Sequence, residues 1–152
     1  MILKKLEKIK KEGIEEALEE LSWCEFEEVV KEVFEANEYK CKLRFRFKEK
    51  KIYEIDVLAQ KNDEFFCIDC KFWKKGWKKE SGLKRACRLQ EERAEALKRI
   101  LETKKLKKVK VYPLIVTLFP EGIKSIGKTF IVPIFSLNTF LNELEYQSIE
   151  GV

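Results

Sequence analysis

Ile52-Tyr53-Glu54-Ile55-Asp56-Val57-Leu58-Ala59-Gln60-Lys61-Asn62-Asp63-Glu64-Phe65-Phe66-Cys67-Ile68-Asp69-Cys70-Lys71 is the stretch on which the fold turns. Two runs rich in β-branched and aromatic residues, at about 52–60 and 64–72, flank Asn62-Asp63, a pair suited to a tight turn. Closed as a hairpin on that turn, the runs place Ala59 against Phe66, Val57 against Ile68, Ile55 against Cys70 and Tyr53 against Phe72. One face is then wholly apolar, and a slip of one residue would scramble it, so the pattern selects its own register. The other face follows from the same pairing. Asp56 falls opposite Asp69, and Glu54 opposite Lys71, with cross-strand partners about 4.5–5.5 Å apart at Cβ.

Opposed aspartates in a sheet repel each other. The chain has 24 Glu and only three Asp, namely Asp56, Asp63 and Asp69, so Asp is not its generic acid. Two of the three stand in strands, where Asp is disfavoured. A shared proton, a nearby cation such as Lys71, or a divalent metal would relieve the repulsion. Hard oxygen ligands suit Mg²⁺ or Mn²⁺, and Lys71, on the same face, could position or deprotonate an attacking water. A salt-bridged polar patch on a solvated face is the alternative reading of the same residues.

Outward from the hairpin, residues 39–48 alternate. Tyr39, Cys41, Leu43, Phe45 and Phe47 face one way, and Lys40, Lys42, Arg44, Arg46 and Lys48 the other. That predicts a strand with one apolar and one basic face. Before it, Ser22-Trp23-Cys24-Glu25 is a capping box, with Leu21 and Phe26 placed as a hydrophobic staple. The helix it opens, at about 23–37, carries the stripe Phe26, Val29, Val30, Val33, Phe34. Residues 2–21 predict an N-terminal helix covering the core. Residues 82–103 predict a long helix, and Val109–Leu118 a buried, parallel strand. After Pro120 come a short turn or helix, a strand near 129–132, and a helix at about 137–144 capped by Ser136. The order α-α-β-β-β-α-β with a β-α tail is that of an α/β fold with a mixed sheet flanked by helices. It divides into an arm (1–21), a core (23–118) and an extension (120–152) of one domain.

Composition narrows the chemistry. With 45% hydrophobic residues in 152, the chain can bury a real core. It has no histidine, which removes His-based triads, haem and His-containing zinc sites. Its six glycines form neither a dinucleotide fingerprint nor a phosphate-binding P-loop. Cys67 and Cys70 lie on one strand at odd spacing, so they face opposite ways and do not make a zinc knuckle. Five cysteines and no apolar leader predict a reducing, cytoplasmic setting with no membrane partner.

Ile55-Asp56, then Asp69-Cys70-Lys71 thirteen residues on, behind a helix carrying Phe26-Glu27, resembles the PD-(D/E)XK nuclease superfamily, which includes restriction-endonuclease-like and archaeal Holliday-junction-resolvase-like proteins. Ile55 stands where the motif has Pro. The resemblance implies a restriction-endonuclease-like αβββαβ core over residues 23–118, and a metal-dependent phosphodiesterase. It implies that Asp56, Asp69, Glu27 and the Cys70 carbonyl hold Mg²⁺ or Mn²⁺, with Lys71 assisting the water. Some members carry a glutamine facing the site from the helix after the third strand. Gln90, in the middle of an apolar stripe where a polar group needs a partner, is its counterpart, or else a buried residue bonded to backbone.

The net charge is +5. Between Lys71 and Arg88 stand eight cationic residues and one acid, Glu80. Trp73 and Trp77 interleave with Lys74, Lys75, Lys78 and Lys79, a composition suited to phosphate neutralisation and base stacking. Arg44 and Arg46 share the Asp56 face if the first two strands pair apolar side to apolar side. The expectation is an endonuclease acting on DNA, with RNA left open. The alternative is a nucleic-acid-binding module of this fold with little or no turnover. A homodimer is expected if both strands of a duplex are cut.

Overall fold

The computed structural model of the protein describes residues 22–71, 80–105, 107–118, 123–144 and 151–152. Elements run α1 (Trp23–Ala36), β1 (Lys40–Lys48), β2 (Ile52–Lys61), β3 (Glu64–Lys71), α2 (Glu80–Lys105), β4 (Lys110–Thr117), β5 (Lys124–Ile126), β6 (Thr129–Pro133), a 3₁₀ turn (Ile134–Ser136) and α3 (Leu137–Leu144). Among the described residues the strands form one six-stranded sheet in the order β1-β2-β3-β4-β6-β5. β1, β2 and β3 are an antiparallel meander, β3, β4 and β6 run parallel, and β5 is antiparallel to β6. This is the mixed α/β architecture that the element order predicts, and it is consistent with the restriction-endonuclease-like core that the resemblance implies. The N-terminal arm 2–21 and Leu21 of the staple lie outside the described residues. Among the described residues no helix is long and apolar enough to cross a membrane.

Local chemistry sets the element ends. Ser22 Oγ accepts from Glu25 N–H at 3.2 Å, and Ser22 N–H donates to Glu25 Oε1 at 3.3 Å, closing the capping box. The β2–β3 turn takes two residues, with Asn62 left-handed at φ 55°. One element differs from expectation. The short turn or helix expected after Pro120 begins outside the described residues, and the described part before β6 contains an unexpected strand, β5. Three residues are too few to show an alternation, and β5 exists because Gly127, at φ 60°, turns the chain back onto β6.

α1 and α3 cover one face of the sheet. Phe26, Val29, Val30 and Phe34 pack with Val57, Ala59, Phe66, Ile68, Cys70, Leu114 and Val116, and Leu137, Phe140 and Leu141 join from α3. Each fully buried Val, Leu, Ile or Phe among these contributes about 1.5–3 kcal/mol. α2 covers the other face through Ala94 and Leu97, against Ile55, Leu58, Phe65, Cys67, Val109 and Val111. Cys67 and Cys70 therefore point to opposite faces, as the odd spacing requires.

The apolar faces of β1 and β2 do not stay on one side. Leu43 packs on the α1 side, but Phe45 and Phe47 pack on the α2 side. On β2, Val57 and Ala59 belong to the α1 side and Ile55 to the α2 side. The uniform alternation expected for 39–48 and the shared face expected for Ile55 and Cys70 are thus corrected. The physical cause on β1 is Arg44, left-handed at φ 49°, a conformation that breaks strand alternation and strains a non-glycine residue. The switch on β2 falls at Asp56.

α2 is fastened to the sheet by polar bonds. Gln90 is buried, and its Nε2 donates to Cys67 O and, at 3.2 Å, to Leu114 O. The two acceptors belong to adjacent parallel strands, so one amide group ties α2 to both β3 and β4. Thr129 Oγ1 donates to Cys87 O at 3.2 Å, and Glu91 Oε1 accepts the Lys128 N–H beside Gly127. Gln90→Leu should therefore destabilise the fold by about 1–3 kcal/mol, the cost of leaving buried polar groups unpaired. Urea unfolding of the variant and the parent measures this, and a difference within error would show that the Gln90 bonds contribute nothing net.

Candidate active site

The site lies where β2 and β3 part. Their ladder runs Lys61–Glu64, Gln60–Phe65, Ala59–Phe66, Leu58–Cys67 and Val57–Ile68, the register read from the sequence. Beyond Val57–Ile68 the ladder stops. Asp56 Oδ2 instead accepts the backbone N–H of Cys70 at 2.9 Å, so a side chain takes over a donor that strand pairing would otherwise use. The expected pair Tyr53–Phe72 cannot be followed, because Phe72 lies outside the described residues.

Asp56 and Asp69 meet here, near enough for each carboxyl to act on the other. Asp69 is 8% exposed, and its Oδ2 is buried without a hydrogen-bond partner. Lys71 Nζ stands 2.9 Å from that oxygen. The distance is that of an ion pair, but the ammonium's approach does not give a directed hydrogen bond. Asp56 is pushed from an ordinary carboxyl near 3.8 up to about 7. Burial is the largest cause, followed by the adjoining Asp69 carboxyl; the Cys70 N–H works in the opposite direction, and the charge of Glu27 adds a smaller upward push. Burial also pushes the Cys67 and Cys70 thiols upward, so both are inert apolar filler at this site.

Glu27 enters from the first turns of α1. It is 3% exposed, yet both carboxylate oxygens are served: Oε2 accepts from Trp23 Nε1–H at 3.1 Å, and Oε1 from Arg44 NH1 at 2.6 Å. Arg44 thus sits beside the acidic site, bound to Glu27. Arg46 does not join it there. Its described partner is Glu54, across the β1–β2 register, at 3.3 Å. Gln90 spends its amide on Cys67 O and Leu114 O, and its Oε1 accepts from Arg93 at 3.0 Å, so it braces β3 from behind. Trp73, Lys74, Lys75, Trp77, Lys78 and Lys79 lie outside the described residues. Two contributors escaped the sequence reading, the Trp23 indole and the Cys70 N–H. The first was visible in principle, since Trp23 and Glu27 are four apart on one helix face. The second depends on the strands parting, which no pattern encodes.

Among the described residues no group of three or more His, Cys, Asp or Glu converges tightly enough to hold a metal ion by itself. The donor set of Asp56 and Asp69 nevertheless fits a hard cation. It is all oxygen, it holds a buried oxygen with no hydrogen bond, and burial together with the adjoining carboxyl pushes Asp56 up to about 7.

Comparison with known proteins follows the same outline. A restriction endonuclease family model, Mrr_cat, matches residues 18–109, a span that includes Glu27, Asp56, Asp69 and Lys71. An uncharacterized protein of Archaeoglobus fulgidus is 29% identical over 131 residues, which is 86% of this chain and 97% of that protein. A crystal structure of a protein of unknown function, AF1548, is similar over 60% of this chain and 44% of its own, at 21% identity and a TM-score of 0.38. This chain therefore matches less than half of that protein's length.

The raised Asp56 carboxyl has a signed consequence. The folded protein holds a proton that the unfolded chain releases near pH 4, so the stabilisation is complete at low pH and is lost as pH rises through about 7. In metal-free buffer, Asp56→Asn should have a flatter dependence of melting temperature on pH between 5 and 8 than wild type. It should also melt higher than wild type at pH 8. Parallel pH profiles for the two proteins would mean that Asp56 does not carry the proton.

Proposed function

This chain belongs to the restriction endonuclease family, and from that premise we propose that it is a metal-dependent endonuclease that hydrolyses DNA phosphodiester bonds. The observation that carries the reading is the apposition of Asp56 and Asp69 with an unbonded buried oxygen and Lys71 alongside. Asp56, Asp69 and the Cys70 carbonyl would hold Mg²⁺ or Mn²⁺, with Glu27 adding negative charge from α1. When bound, such an ion neutralises phosphate charge and makes water a better nucleophile. The chain's own groups do the rest. Lys71 orients the attacking water from the Asp69 side and offsets charge that develops on the phosphate. Gln90 holds β3, and with it Asp69, against α2. Arg44 and the Trp73, Lys74, Lys75, Trp77, Lys78, Lys79 segment would bind the phosphate chain, and Arg46 would extend that track along β1. Cutting both strands of a duplex takes two sites, and so two copies of the chain.

A nucleic-acid-binding module with little turnover remains the second reading. It is favoured by one feature: Glu27 is already engaged by Trp23 and Arg44 rather than free to join the aspartates. Incubation with linear, nicked, flapped and four-way-junction DNAs, in Mg²⁺, Mn²⁺ or EDTA, separates the two. The nuclease cuts with metal and not with EDTA. Asp69→Asn or Lys71→Ala should reduce cutting at least about 100-fold while leaving the protein folded. Uncut DNA throughout, with binding retained, would select the binding module.

Millimolar Mn²⁺ should also raise the wild-type melting temperature by several degrees, since a ligand at a hundredfold excess over its Kd stabilises by about 2.7 kcal/mol. Asp56→Asn should gain less. A melting temperature indifferent to Mn²⁺ would mean that the aspartates are a proton-sharing, salt-bridged patch. Charge reversal at Lys74, Lys75, Lys78 and Lys79 should flatten the salt dependence of duplex binding by about 0.9 in the log–log slope per lost contact.

A further inference from the structure

Trp23 opens α1 and is 48% exposed, one of few large apolar residues so open among the described residues. It is not loose. Its Nε1–H is tied at 3.1 Å to Glu27, a carboxylate that is almost wholly buried. The same carboxylate binds Arg44 at 2.6 Å, and the Arg44 side chain is itself half exposed. One buried anion therefore fixes two outward groups, an aromatic face and a guanidinium. Only one terminal nitrogen of Arg44 is spent on Glu27 in this pair, leaving further donors in its planar fork. Arg44 stands at the level of Asp56, between the Leu43–Val57 and Phe45–Ile55 pairs of β1 and β2, and the Glu27 charge that holds both groups reaches Asp56. Arg44 is held there in a strained left-handed backbone conformation, the kind of strain that persists where surrounding contacts impose it.

A flat, fixed, exposed ring beside a cation with spare donors matches the chemistry of a nucleotide: the base stacks, and the phosphate takes the guanidinium. In a continuous duplex the base faces are covered by their neighbours. An indole at the helix end can stack only on a base that has left the stack. We propose that Trp23 and Arg44, joined through Glu27, form a subsite for one unpaired nucleotide next to the phosphate held at Asp56 and Asp69. The substrate class is then DNA with a single-stranded segment at the cut, such as a flap, a junction arm or a free strand, in preference to unbroken duplex. This rests on the nuclease reading for the position of the cut, but not for the subsite itself.

The test is binding of a fluorescent single-stranded oligonucleotide and of the duplex of the same sequence, followed by anisotropy in EDTA with the full chain. Trp23→Phe and Trp23→Leu both lose the bond to Glu27, so any cost to the fold is common to them, and only Phe keeps a ring. Trp23→Leu should bind the single strand at least about fivefold more weakly than Trp23→Phe, the lower end of what one stacked base contributes. The two should bind duplex within twofold of each other. With Trp73→Phe and Trp77→Phe in place, Trp23 is the sole tryptophan of the chain's three, and its emission should fall on addition of single strand and not of duplex. Equal single-strand binding by the Phe and Leu variants would overturn the subsite, and so would equal losses on both DNAs. Because binding in EDTA needs no turnover, a protein that shows this discrimination yet never cuts would overturn the nuclease reading alone.

Discussion

The hydrogen bond from the Cys70 N–H to Asp56 Oδ2 is the contact on which the rest of the arrangement depends. A regular ladder would carry β2 and β3 side by side past Val57–Ile68, with two aspartates forced face to face. Instead the strands separate, and the carboxylate of one caps a freed donor of the other. The cap keeps the end of the β2–β3 pairing from leaving an unsatisfied backbone group. Asp69 and Lys71, beyond the β2 pairing but still held in register by β4, stand beside Asp56 at that point.

Charge balance explains why this arrangement is stable. Three acids, Glu27, Asp56 and Asp69, meet two cations, Arg44 and Lys71. Burial first, and then the neighbouring Asp69 and Glu27, make the charged form of Asp56 unfavourable, so its carboxyl is pushed up to about 7. Burying charges costs several kcal/mol per ion unless each is paired, and here Glu27 is paired on both oxygens while Asp69 is paired on distance alone. The least satisfied group is therefore the aspartate near the end of β3. Such incompletely satisfied polar atoms are costly in an interior and are kept where another ligand can complete them.

The scaffold isolates this imbalance from the core. α2 is bonded through Gln90 to β3 and β4, and through Cys87 and Glu91 to the β5–β6 hairpin. The parallel strands β3 and β4 are thereby held in register just below Asp69. On the opposite face, α1 contributes an apolar stripe to the core and Glu27 to the site from adjacent positions, so packing of Phe26 also places the buried acid.

Much of this is written in local pattern. The capping box at Ser22, the Asn62-Asp63 turn, the register that joins Val57 to Ile68, the long helix and the buried β4 run follow from periodicity and turn chemistry, because each is decided by neighbours a few residues away. The apposition of Asp56 with Asp69 was legible for the same reason, since a two-residue turn dictates what faces what. The tertiary structure decided the remainder. That β1 changes face at Arg44, that Glu27 binds Arg44 and Trp23 rather than the aspartates, and that Gln90 turns to strand carbonyls all depend on helices crossing a twisted sheet. In each case the partners are distant in sequence, and a buried polar group takes whichever partner the packing leaves within reach. Residue spacing determines which side chains are available to a site, and only the packed chain determines which of them are already engaged.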